Sequence, residues 1–176
     1  MQTDRRRLDQ IRDPDFLADL DSLNLEDLRE RRDLAEEVEK ELSYYRRFLH
    51  GRLDLLAFEQ RRRRGEESRS LIDALPEILT GRDQSGAAST RHLSTDLPEL
   101  PSKGRRHLDR ILGNDLMLRL GEMSEEELAE AAAELADLES EISTVRQHTQ
   151  AILDRLQAEV INRYKNDLGD PALRPS

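Results

Sequence analysis

An internal repeat constrains this chain more than any other feature. Apolar residues at Leu28, Ala35, Val38, Leu42, Tyr45, Leu49 and Leu56 step by sevens, threes and fours, the spacing of an amphipathic helix with a coiled-coil-like seam. The same seam returns 100 positions later at Leu128, Leu135, Leu138, Ile142, Val145, Ile152 and Leu156. The correspondence extends upstream, pairing Asp15 with Asp115, Leu20 with Leu120, Leu23 with Met123 and Asn24 with Ser124. A unit of one short and one long helix is therefore duplicated. Two copies are too few for a solenoid and enough for a helical hairpin.

Composition agrees with seam packing. The chain is 38% charged and 3% aromatic, with no Trp, so little is available to fill a thick core. No run of β-branched and aromatic residues marks a strand. Residues 1–23 read as an N-terminal arm whose short helix, FLADL, starts from Asp13–Pro14. Residues 24–64 form the first long helix, with Asn24 as cap and Glu26 and Asp27 in the first turn. Residues 65–104, rich in Gly, Ser, Thr and Pro, read as a flexible linker in which SLIDALPEIL forms at most a transient turn broken at Pro76. A short helical segment occupies 105–123. Ser124 and Glu127 make a capping box for the second long helix, 124–166, and 167–176 is a tail.

Several function classes are disfavoured. Without Cys there are no disulfides, thiolate catalysis or Cys-based metal sites. His50, His92, His107 and His148 lack metal-ligand spacing, and no nucleophile–base constellation stands out; no catalytic residue and no metal ligand is expected. A formal net charge of −10 argues against direct DNA binding. No apolar stretch approaches membrane-spanning length and the start MQTDRRRLDQ has no signal-peptide core. A cytoplasmic, non-enzymatic protein is expected.

A polar stripe beside the seam survives in both copies. The first reads Glu39, Ser43, Arg46, His50, Asp54; the second reads Glu139, Ser143, Arg146, Gln150, Asp154. On a helix these five positions fall within about 80° and span about 22 Å. Seam residues differ between the copies (Tyr45 against Val145, Leu49 against Thr149), whereas the stripe keeps four of five residues. None of its charged members has an opposite charge three or four positions away on its own helix. Arg suits guanine O6 and N7, a carboxylate suits the N1–H and exocyclic amine, and Ser or Gln suits phosphate or ring atoms. A structural alternative stands beside this: in an antiparallel hairpin Glu39 would approach Arg146, and Glu139 would approach Arg46, as interhelical ion pairs.

The stripe E-x3-S-x2-R-x3-Q-x3-D, present twice, closely resembles the RsiG family, cyclic-di-GMP-dependent anti-sigma factors of actinomycete sporulation. The resemblance covers both long helices. It implies that the two long helices pair as an antiparallel coiled coil, so that with the segments above the expected fold is all-α, an antiparallel coiled-coil hairpin with short N-terminal and pre-hairpin helices and a long flexible linker. It also implies that the ten stripe residues bind cyclic di-GMP as an intercalated dimer, and that the loaded protein, monomeric beforehand, captures a WhiG-like sigma factor. His50 departs from the pattern; it cannot reproduce both amide donors of Gln, and its protonation would make its half-site pH-sensitive. Phe16, Leu17 and Leu20, with Leu23, offer an apolar face for partner docking, or else pack over the hairpin end; Leu116, Leu118 and Leu120 carry the same two readings. A coiled-coil scaffold or adaptor without a small ligand is the competing function.

Overall fold

The computed structural model describes residues 3–80 and 119–169. Among these the chain is all-α: α1 (Thr3–Arg12), two 3-10 turns (Pro14–Leu17 and Leu20–Ser22), α2 (Leu25–Arg63), α3 (Leu71–Thr80) and α4 (Glu125–Gly169). Residues up to Ser43 together with those from Thr144 onward make one compact unit, and Tyr44–Ser143 makes the other. Both α2 and α4 contribute to each unit.

In the first unit the N-terminal part of α2 runs antiparallel to the C-terminal part of α4. Arg29 stacks its guanidinium 5.2 Å from the Tyr164 ring centroid, whereas Glu39 meets Arg146. Leu28, Ala35, Val38 and Leu42 are buried with Ile152, Leu156 and Val160. Thr149 occupies a seam slot at 1% exposure, and its hydroxyl donates to the Val145 carbonyl at 3.0 Å, so the buried polar atom is satisfied within its own helix.

In the second unit the same antiparallel sense holds, since Arg46 meets Glu139 while Arg63, further along α2, meets Leu120. Tyr45, Leu49, Leu56 and Phe58 are buried, as are Leu128, Leu135, Leu138 and Ile142. The packing of α2 against α4 is thus a helical hairpin arrangement.

Local chemistry sets the helix ends. Asn24 accepts from the Asp27 amide and donates to the Asp27 carboxylate, both at 2.8 Å. Ser124 and Glu127 bond reciprocally at 3.1 and 2.7 Å, which forms the capping box. Helix α2 stops because Gly65 adopts φ 77°; the amides of Glu66 and Gly65 then reach the Arg61 and Arg62 carbonyls at 2.9 and 3.1 Å. The equivalent residue in the second copy is Lys165, and α4 continues to Gly169.

The structure differs from expectation in three places. The charged start forms α1, whose Leu8 and Ile11 are buried and whose Arg7 pairs with Glu37 and Glu41 of α2. Residues 14–22 form two 3-10 turns rather than one short helix, because Ala18 is extended and Asp19 is left-handed (φ 54°). Helix α3 runs through Pro76 within the expected linker, capped by Ser70 on the Asp73 amide at 3.2 Å and anchored by buried Ala74. The remainder of that linker, 81–104, and the segment 105–118, with its expected short helix and Leu116 and Leu118, lie outside the described residues.

Candidate functional site

Helical geometry places Glu and Ser of the pattern one turn apart on the same face, and in both copies the Ser hydroxyl donates to Oε1 of that Glu at 2.7 Å. What completes each cluster comes from the other long helix.

In the first unit, Glu39 and Ser43 of α2 meet Arg146 of α4. Arg146 Nη1 donates to Glu39 Oε1 at 3.1 Å, and Arg146 Nε is buried without a hydrogen-bond partner. Gln150, also on α4, turns to Asp154 and donates to its Oδ1 at 3.0 Å. In the second unit, Glu139 and Ser143 of α4 meet Arg46 and His50 of α2. Arg46 Nε donates to Glu139 Oε1 at 3.1 Å, and His50 Nε2 lies 2.9 Å from the same oxygen. Asp54, one turn beyond His50, is half-buried and engaged in an interaction of its own.

Each cluster therefore joins Glu and Ser of one copy with Arg of the other, and in the second unit with His50 as well, while Gln150 and Asp154 bond each other on their own helix. The five residues of a single helix are not brought together as one site. The stripe is also not left unpaired: lack of opposite charges along one helix concealed partners on the facing helix, and the ion pairs of the structural alternative are present in both units. Ser43 and Ser143 add bonds to those same carboxylates, and Gln150 to Asp154.

The electrostatics distinguish the clusters. Burial pushes the Glu139 carboxyl up, but hydrogen bonds from Ser143, His50 and Arg46 outweigh it and hold the group below the usual carboxylate range. Glu39 accepts from Ser43 and Arg146, with no counterpart to His50. The arginine side chains stay partly open to water, Arg46 at 38% and Arg146 at 27% exposure. The carboxylates are more covered, Glu139 at 21% and Glu39 at 17% exposure, so a ligand that takes the arginines must also supply hydrogen-bond donors to them.

A second repeated device was missed in the sequence. Arg63 donates to the Leu120 carbonyl at 3.1 Å and pairs with Glu59, itself almost wholly buried and shared with Arg62. In the other unit Arg163 pairs with Glu159 and donates to the carbonyls of Leu20 and Asp21 at 2.8 Å and Leu23 at 2.9 Å. Glu59 and Glu159, Arg63 and Arg163, and Leu20 and Leu120 are each 100 apart, so the signal was the same offset that revealed the stripe. The clasp bears on partner docking: Phe16, Leu17 and Leu20 are half-buried, and Phe16 is held by Arg31, which lies over its ring and bonds its carbonyl.

Among the described residues no group of three or more His, Cys, Asp or Glu is arranged to hold a metal ion, and no helix is long and apolar enough to cross a membrane. No curated protein matches the chain. Residues 14–79, which span the 3-10 turns, α2 with the whole first stripe and most of α3, are similar to the family described as RsiG-like.

Proposed function

We propose that this chain is a non-enzymatic helical regulator acting through binding, and that each polar cluster receives a guanine-bearing portion of cyclic di-GMP. Loaded in this way, it holds a WhiG-like sigma factor away from RNA polymerase. The observation that carries the regulatory reading is the RsiG-like match over the copy containing Glu39, Ser43, Arg46, His50 and Asp54. The crosswise clusters support the ligand: each offers a part-exposed arginine side chain beside a carboxylate and a hydroxyl. A bidentate Arg–guanine contact discriminates against the wrong base by about 1–3 kcal/mol.

Binding then proceeds by exchange. Arg46 and Arg146 leave Glu139 and Glu39 for the base, and the freed carboxylates, with Asp54 and Asp154, accept from its N–H donors. Ser43, Ser143 and Gln150 supply the remaining hydrogen bonds, while His50 stays on Oε1 of Glu139 and leaves that carboxylate's other oxygen for the base. Docking of the sigma factor through Phe16, Leu17 and Leu20 requires Arg31 and Arg163 to release that turn.

A second reading, a scaffold or adaptor without a small ligand, is favoured by the closure of the clusters on themselves. Substitution of Arg46→Ala with Arg146→Ala separates the two. The regulator loses nucleotide-dependent sigma capture, by at least about tenfold if each guanine contact carries its ordinary share. A scaffold keeps its partner affinity, and partner binding unchanged by both the substitutions and the nucleotide would overturn the cyclic di-GMP reading.

A further inference from the structure

The two clusters differ in what remains on the glutamate when arginine departs. In the first unit Glu39 is left with Ser43, because Gln150 is committed to Asp154. In the second unit Glu139 keeps both Ser143 and His50. We infer that His50 is a proton-linked positioning residue that takes over Glu139 when Arg46 leaves, so that acid frees Arg46 for an incoming acceptor in the second unit alone.

The geometry needs no rearrangement of the imidazole. His50 Nε2 already lies 2.9 Å from Oε1, the oxygen that Arg46 uses at 3.1 Å. Neutral His50 can place one N–H on that oxygen; protonated His50 brings a full positive charge to it. The charged groups around it are of both signs. Arg46, Arg47 and Asp54 lie within one turn on α2, and the α4 carboxylate it meets is Glu139. Glu139 is held below the ordinary carboxylate range, so it stays ionised in mild acid. In the first unit Gln150 carries no proton to exchange, so arginine release there is independent of pH. The effect on a nucleotide rests on the cyclic di-GMP reading above; the exchange between Arg46 and His50 does not.

A thermal unfolding cycle tests the exchange directly. Arg46→Ala removes one cation from Glu139, and protonated His50 should soften that loss. The drop in unfolding midpoint is expected to be about 1–3 °C smaller at about pH 5.5 than at about pH 7.5. In a His50→Gln background, which installs the residue of the other copy, the drop should be the same at both pH values. An equal drop in both backgrounds, or a pH dependence that survives His50→Gln, overturns the inference.

Calorimetric titration of cyclic di-GMP into Arg146→Ala, where Arg46 is the remaining stripe arginine, supplies the second arm. Affinity several-fold higher at the lower pH, abolished by His50→Gln, supports the inference. Binding independent of pH overturns it while leaving the nucleotide reading intact. An absence of heat in wild type and every variant, with the unfolding cycle as expected, defeats the nucleotide reading and leaves the role of His50 standing.

Discussion

At the scale of single residues, the most constrained side chain outside the polar clusters is Glu59. Its carboxylate is almost fully buried near the end of α2 and takes hydrogen bonds from Arg62 and Arg63 at 2.8 Å. Those bonds, first from Arg62 and then from Arg63, hold the group below its ordinary value against the opposing effect of burial. A depressed carboxylate contributes stability above its unfolded value, and that contribution is lost as pH falls through the folded value. Glu59→Gln should therefore destabilise at neutral pH by about 1–3 kcal/mol, since one charge-assisted acceptor is exchanged for a neutral amide. Denaturant titration is expected to show the gap from wild type narrowing below about pH 4; a gap that widens with acid would contradict this account of Glu59.

At the scale of elements, the periodicity of α2 and α4 was legible because every seam residue from Leu28 to Leu56 repeats a helical spacing and all are buried. Helix α1 was harder to see: Leu8 and Ile11 make only one i, i+3 pair inside a charged stretch, and their burial depends on tertiary packing. The left-handed Asp19 that splits the 14–22 segment carries no sequence signal comparable to glycine. Arg163 reads as an ordinary surface residue until the carbonyls of Leu20, Asp21 and Leu23 are seen converging on it. Arg163→Ala should strip those acceptors of their donor and cost about 1–2 kcal/mol, with faster amide exchange across 20–23 than in the rest of its unit. Exchange rates unchanged in that turn would show that the clasp does not hold it.

At the scale of the whole molecule, duplication produces crosswise polar clusters that neither copy contains alone. Glu39 and Ser43 need Arg146, and Glu139 and Ser143 need Arg46. The ten residues were readable from the 100-residue offset, but their grouping was not, because a pattern along one helix does not reveal which half faces which partner. Their mutual pairing was visible only as an alternative for the same reason. Under the proposed reading the closed clusters open to a ligand because each arginine side chain is partly open to water. That makes guanine recognition, rather than shape, the claim to be tested. Calorimetric titration of the wild-type protein with cyclic di-GMP and, separately, with cyclic di-AMP tests it most directly. Saturable heat with the guanine dinucleotide and at least about tenfold weaker binding of the adenine analogue are expected from Arg donors facing O6 and N7. Equal affinity for both, or heat from neither, would contradict the account.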